Sequence, residues 1–180
     1  MTPFSSLNMA KLRKNAAYQK LERPYTRISK YTKKNYVRGG FPNMKIIKFD
    51  MGDPREEYDS LVTLHSTKAM HLRHNAIESA RMTSNRLLER TLGKAYHLRI
   101  KVYPFHVLRE NPLAAGAGAD RMSTGMKKSF GKPVGSAARI REGQTVMEVR
   151  LNKENIKVGK LAMERASKKF PFSCKIKVKE

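Results

Sequence analysis

The 180-residue chain has little cysteine, no tryptophan and no long apolar run. Its one cysteine, Cys174, excludes an internal disulfide and a thiolate metal cluster. No stretch of about 18 apolar residues occurs, so we expect no segment to span a membrane. The N-terminal residues also lack the apolar stretch of a signal peptide, and we therefore expect a cytoplasmic protein.

Acidic side chains are scarce as well. The chain has 15 Asp and Glu against 38 Lys and Arg, which gives a formal net charge of +23. A field of this size destabilises the compact state by self-repulsion unless a polyanion neutralises it. An anionic membrane surface is one alternative, but it would require a basic amphipathic helix, and both predicted helices are mixed in charge. The composition therefore favours nucleic acid as the partner.

The first forty residues are basic and have no apolar period. They contain ten Lys or Arg and a single acid, Glu22, with tyrosines between the cations. We predict an extended N-terminal arm, residues 1–40, that pairs phosphates with its cations and stacks bases on its tyrosines. The alternative is a solvated tail. The predicted RNA-binding residues of the arm are Arg23, Tyr25, Arg27, Lys30, Lys33, Lys34 and Arg38.

Residues 41–180 have the pattern of a single α+β domain. Alternating or β-prone stretches predict strands at 44–50, 60–66, 95–103, 105–110, 138–140, 145–151 and 173–179. Helical spacing predicts one helix over 74–92, ended by Gly93, and another over 155–168 with Asn155 as its N-cap. The strands lie too close in sequence for βαβ crossovers, so we expect a mostly antiparallel sheet with two packed helices.

Two sets of helical residues are predicted to face the core. In the first helix they are Ile77, Ala80, Ser84, Leu87, Leu88 and Thr91. In the second helix they are Val158, Leu161, Ala162 and Ala166.

The glycine-rich stretch GAGADRMSTGMKKSFGKP, residues 116–133, does not form a nucleotide-binding motif. A Walker A loop needs four residues between its first glycine and its Gly-Lys pair, and then a Ser or Thr that supplies a hydroxyl. Here five residues separate Gly125 from Gly131, and Pro133 takes the place of the hydroxyl. The dinucleotide fingerprint also fails, because Arg121 stands at its third glycine.

No set of residues suited to catalysis or metal binding emerges elsewhere. His65, His71 and His74 have no cysteine or carboxylate at ligand spacing, and we interpret them as weak helix or strand surface. Five acids form a cluster, which we interpret as a solvated face or a counterweight to the arm; they are Asp50, Asp53, Glu56, Glu57 and Asp59. We therefore predict no enzyme, no cofactor and no metal.

The stretch between Glu110 and Ser136 lacks periodicity, and a structureless segment of this length is usually functional or disordered. Glycine, alanine and serine predict flexibility, and three large apolar side chains could pack on bases. We predict a flexible loop at about 111–128 that orders on RNA. A slack connector is the alternative. The cations predicted to meet phosphates here are Arg121, Lys127, Lys128 and Lys132.

Three stretches resemble a known family. They are RPYTRISKY (23–31), YVRGGFPNMKIIKFDMG (36–52) and the long segment 102–150, with its specific GADRxxTGM and FGKPxG patterns. These stretches closely resemble the L-ten-e ribosomal proteins of the archaeal and eukaryotic large subunit, the counterpart of bacterial L-sixteen. The arm resembles the archaeal branch, and the likeness covers about 23–171.

The resemblance implies a hammerhead-type α+β fold on large-subunit rRNA near the 5S rRNA, among neighbouring ribosomal proteins. It also implies that the loop extends toward the peptidyl transferase region and helps position tRNA. We expect a structural constituent of the cytoplasmic ribosome and no stable homo-oligomer. The predicted RNA-binding set is completed by Arg99, Lys101, His106, Arg109, Arg139 and Arg141.

Overall fold

The computed structural model describes residues 15–29, 31, 36–37, 39–110 and 131–179. Within these residues no helix is long and apolar enough to cross a membrane. Short 3-10 turns occupy Asn15–Tyr18 and Lys153–Asn155. The strands and α-helices, in chain order, are β1 (Asp50–Gly52), β2 (Ser60–Ser66), β3 (Met70–Arg73), α1 (His74–Leu92), β4 (His97–Ile100), β5 (His106–Glu110), β6 (Lys132–Ile140), β7 (Thr145–Leu151), α2 (Ile156–Ser167) and β8 (Cys174–Lys179).

Five strands form one antiparallel sheet in the order β1-β4-β7-β2-β8. Val149 of β7 lies between its two cross-strand partners, Val62 of β2 and Leu98 of β4. These three apolar side chains therefore share one face of the sheet. Helix α2 packs on that face through Gly159, where an added Cβ would lie 2.6 Å from Cδ2 of Leu151. The glycine therefore lets the helix approach the sheet closely.

The remaining strands form a second antiparallel sheet in the order β3-β6-β5. Helix α1 packs against α2 and against this sheet, so the helices join the two sheets around one core. Burying a leucine or isoleucine side chain in such a core contributes about 2 kcal/mol. The largest fully buried side chains include Leu64, Leu72, Ile77, Leu88, Leu98, Ile140, Met147, Leu151 and Met163.

The α+β fold with antiparallel pairing and two packed helices is confirmed. The bounds predicted for β2, α1 and β7 agree with the structure, and Tyr96, Leu98, Ile100 and Val102 are all buried as the alternation predicts. These predictions agree with the structure because the apolar side of each element is packed against the core.

Some predictions are wrong. Residues 44–49 form no strand, and only Asp50 of the predicted stretch belongs to β1. The backbone N–H of Lys45 donates instead to Nδ1 of His74 at 3.1 Å, and Ile47 is 77% exposed. The backbone N–H of Lys45 is thus taken by a side chain rather than by a strand, whereas the carbonyl of Phe49, next to β1, accepts from the N–H of Ile100 at 2.9 Å.

The predictions for the histidine stretch and for one helix face also need correction. Strand β3 was missed, and His71 and His74 are buried rather than on the surface. Leu161 was predicted to face the core but is 43% exposed, and Thr91 is exposed too. The stripe of α2 that packs on the sheet is narrower than the apolar pattern suggests. Its buried residues are Gly159, Ala162, Met163 and Ala166.

A substitution at Gly52 tests the contact between β1 and the residue before β4. Gly52 has φ +86°, and an added Cβ would lie 1.9 Å from the carbonyl oxygen of Tyr96. That same carbonyl accepts a hydrogen bond from the N–H of Asp53 at 2.9 Å. We expect Gly52→Ala to lower the free energy of unfolding by about 3 kcal/mol, since it combines a strained φ with a forced backbone shift. Urea denaturation followed by circular dichroism measures this.

Gly143→Ala is the matched control. Gly143 also has a positive φ, +73°, but nothing lies within 4 Å of an added Cβ. It should therefore cost only the backbone strain, about 1 kcal/mol. Equal losses in the two variants would show that the close approach of Gly52 to Tyr96 has no energetic weight.

Candidate nucleic-acid interface

The face of the five-stranded sheet opposite α2 carries cations on three strands. Because side chains alternate along a strand, the register that turns Leu98 and Val149 toward α2 turns Arg99 and Arg150 away from it. On edge strand β8 the same alternation exposes every second residue. We define the basic face as Arg99, Lys101, Arg150, Lys175, Lys177 and Lys179.

Two carboxylates lie among these six cations. Asp50 Oδ1 is 3.5 Å from Nε of Arg99 and 3.1 Å from Nε2 of His97. Glu148 is buried, with Oε2 3.5 Å from Nζ of Lys101 and Oε1 3.8 Å from Arg150. These acids offset only part of the positive charge on the face.

The three β8 lysines have no ion pair to a carboxylate within the described residues. Their cross-strand neighbours on this face are Leu61, Thr63 and His65, none of which is an acid. Exposed, uncompensated cations on alternate positions suit an extended polyanion. Sequence reasoning predicted that these lysines point outward but left them and Arg150 out of the RNA-binding set, although the alternation of β7 and β8 is the signal for them.

A cleft of about 830 Å³ continues from the basic face toward the three-stranded sheet. The exposed Lys101, Arg139 and Arg141 all line it. Arm residues Leu21, Pro24 and Thr26 also line it, as do Tyr103 and Phe105. The cleft therefore brings together three of the predicted RNA-binding residues and two aromatic rings that the sequence reasoning missed.

The arm is attached to β5 at Tyr25. The N–H of Tyr25 donates to Nδ1 of His106 at 3.1 Å, and the N–H of Val107 donates to the carbonyl of Tyr25 at 3.0 Å. Tyr25, Val37 and Val107 form a small buried apolar cluster. The guanidinium of Arg109 lies 4.3 Å from the centre of the Tyr25 ring, a cation–π contact. The tyrosine thus anchors the arm at this point.

Among the predicted RNA-binding residues, Tyr25 and His106 are buried against protein. Seven others lie outside the described residues, as does the predicted loop at 111–128; they are Lys30, Lys33, Lys34, Arg38, Arg121, Lys127 and Lys128. The exposed ones are Arg23, Arg27, Arg99, Lys101, Arg109, Lys132, Arg139 and Arg141.

The histidines do not converge on a common centre. His65 bonds to Thr63 and to the carbonyl of Gly143, and His74 accepts from Lys45. His71 instead stacks on His106, with ring centroids 4.5 Å apart and planes at 19°. Within the described residues no group of three or more His, Cys, Asp or Glu could hold a metal ion.

The stacked histidines are held in their neutral form. Burial, and to a smaller extent the neighbouring His71, Arg139 and Arg109, together lower the pKa of His106 to about 4. Burial also lowers the pKa of His71, partly opposed by Glu22. At neutral pH the pair therefore adds no charge, and the arginines around it supply the positive field.

Lowered histidine pKa values predict a loss of stability in acid. The pKa of His106 is near 6.5 in the unfolded chain and about 4 in the fold, so its contribution is complete above pH 6.5 and is lost as the pH falls toward 4. We expect this group to account for about 3 kcal/mol of the decline in unfolding free energy.

His106→Asn tests this, because an asparagine oxygen can still accept from Tyr25 but cannot gain a proton. The variant should be less stable at pH 7 but should decline less steeply between pH 7 and 4. Urea titrations at several pH values measure both slopes. The substitution removes no carboxylate, so parallel curves would contradict the assignment.

Comparison with known proteins gives consistent matches. Residues 26–177 match the family model described as Ribosomal protein L16p/L10e. The chain is similar to the large ribosomal subunit protein uL16 of Hyperthermus butylicus, 47% identical over 149 residues that cover 82% of each chain. It is similar to that of Staphylothermus marinus, 46% identical over 86% of this chain and 90% of the relative, and to that of Methanocella arvoryzae, 45% identical over 83% and 87%.

Proposed function

The chain belongs to the ribosomal protein L16p/L10e family, and from that membership we propose that it is a structural constituent of the large ribosomal subunit that binds rRNA. The relatives are large ribosomal subunit proteins by name, and the role is structural rather than enzymatic. The cytoplasmic ribosome is then its place of action. We propose that its partners are rRNA in the vicinity of the 5S rRNA, tRNA and neighbouring ribosomal proteins. We expect it neither to bind a membrane nor to form a stable homo-oligomer.

The basic face is the observation that supports rRNA binding most directly. Alternate residues of a strand repeat about every 7 Å, so Lys175, Lys177 and Lys179 extend over about 14 Å. Phosphates of one RNA segment can therefore meet several of them at once. Arg99, Lys101 and Arg150 extend the contact across the sheet toward the cleft.

The arm and the cleft extend the proposed contact. Arg23 and Arg27 are exposed on either side of the anchored Tyr25, and Arg139 and Arg141 are exposed in the cleft. We propose that residues 1–40 act as an RNA-binding arm and 41–180 as one rRNA-binding domain. In this proposal Tyr25 and His106 hold the arm against β5, which positions the neighbouring cations for phosphates.

The loop supplies the proposed contact with tRNA. Strands β5 and β6 remain paired as far as Glu110 and Lys132, so the two ends of the intervening segment are held side by side. We propose that the segment extends from there toward the peptidyl transferase region, with Arg121, Lys127 and Lys128 near phosphates. Arg109 and Lys132, both exposed, lie at its base.

Removing charge from the basic face tests rRNA binding. Replacing Arg150, Lys175, Lys177 and Lys179 with Gln should weaken binding to large-subunit rRNA and flatten its salt dependence. Each lost duplex phosphate contact should reduce the slope of log affinity against log salt by about 0.9. Filter binding between 50 and 300 mM salt, roughly the range where such slopes are resolved, measures this.

The matched control removes four charges from the helical side. Lys157, Lys160, Lys168 and Lys169 are exposed on or just after α2, away from the basic face. Replacing them with Gln changes the net charge equally. If both quadruple variants lose the same affinity and slope, then only the total charge matters and the basic face is not the binding surface.

Shortening the loop tests its role separately. Deleting 113–124 should leave incorporation into the large subunit nearly unchanged, because the β5–β6 ladder closes below the deletion. Peptide-bond formation should fall, since the proposed tRNA contact is lost. Reconstituted subunits containing the full or shortened protein allow both quantities to be measured. Normal peptide synthesis at full incorporation would leave the loop as a connector.

A further inference from the structure

Two aromatic rings are exposed at the cleft by an unusual local conformation. The N–H of Phe105 donates to the carbonyl of Tyr103 at 3.0 Å, which closes a three-residue turn around the buried Pro104. The turn brings the two rings to a centroid distance of 4.5 Å, tilted by 45°. Tyr103 also stacks on Phe49, with ring centroids 5.2 Å apart. The pair is therefore held in place before any ligand arrives.

The rings are open to solvent despite this support. Phe105 is 64% exposed and Tyr103 is 41% exposed. An aromatic ring favours burial strongly, so a fixed but uncovered phenyl group indicates a surface that becomes covered in a complex. Tyr103 and Phe105 also line a second cleft of about 460 Å³, so the ring pair is open to two clefts.

The charges next to the rings indicate what covers them. Lys101, Arg139 and Arg141 line the same cleft as Tyr103 and Phe105. Among the described residues that line this cleft, Glu142 is the one that carries a carboxylate. An apolar protein segment would have to desolvate these cations without compensation. A nucleotide satisfies both features, because its base is a flat π-surface and its phosphate is an anion.

The base must be unpaired to reach the rings. A base inside a helix is stacked and paired, whereas a base in a loop, bulge or strand end can turn outward onto an aromatic side chain. We propose that Tyr103 and Phe105 form a stacking platform for an unpaired rRNA base, with the adjoining phosphates on Lys101, Arg139 and Arg141. This inference rests on the proposed rRNA binding and specifies one site within it.

A tryptophan at position 105 provides a direct probe. The chain has no Trp, so Phe105→Trp carries the only indole and keeps a stacking surface. We expect its fluorescence to be quenched by single-stranded oligoadenylate. An abasic ribose-phosphate strand of the same length, which keeps every phosphate, should leave it nearly unchanged.

Affinity measurements separate stacking from charge. Phe105→Leu should bind oligoadenylate about tenfold more weakly, with an unchanged salt slope, and should bind the abasic strand like the wild type. Phe105→Tyr should restore the affinity. Arg139→Gln, by contrast, should weaken binding to both strands and reduce the salt slope. Circular dichroism checks that the Leu variant is folded, as expected for a side chain this exposed.

The outcomes distinguish this inference from the proposed function. Equal loss of affinity for base-carrying and abasic strands, or no loss at all, would overturn the platform while leaving rRNA binding intact. If Phe105→Leu impaired only incorporation into the particle, the rings would contact a neighbouring protein and the proposal would also fail. Failure of the wild type to bind any RNA would refute the proposed function itself.

Discussion

The register of β7 between β4 and β2 is the constraint on which both the core and the candidate interface depend. It places Val149 between Leu98 and Val62 on the side of α2, and Glu148 between Arg99 and Thr63 on the opposite side. A slip of one residue would exchange these sides and bury Arg150. The hydrophobic core therefore fixes the positions of the cations, and no separate feature is needed to arrange the basic face.

This arrangement also explains the place of the buried Glu148. Six cations on one sheet face repel each other, and a carboxylate beneath Lys101 and Arg150 reduces that repulsion. The N···O distances of 3.5 Å and 3.8 Å leave both cations loosely held and partly exposed. They can still turn toward a phosphate. A fully neutralised face would be more stable alone but would present no positive potential to a polyanion.

Much of this organisation follows from sequence pattern. Helical spacing and Gly93 predict α1, alternation predicts β2 and β7, and the charge predicts a polyanionic partner. The failures share a cause, because each depends on a tertiary partner. Residues 44–49 resemble a strand until Lys45 bonds to His74, and the short β3 is stabilised by pairing with β6. The rings of Tyr103 and Phe105 meet only because of a turn that no periodicity indicates.

The anchoring of the arm links the interface to the core. Tyr25 bonds to His106 and Val107 of β5, and this contact brings Leu21, Pro24 and Thr26 to the wall of the cleft that holds Tyr103 and Phe105. The arm segment is thus part of the proposed binding surface as well as a carrier of charge. A neutral His106 suits this position, because its unprotonated Nδ1 accepts the backbone N–H of Tyr25, whereas a protonated ring would lose that bond and add repulsion to Arg109 and Arg139. The shape of the cleft therefore depends on a buried neutral group, while its positive potential depends on the exposed charged groups around it.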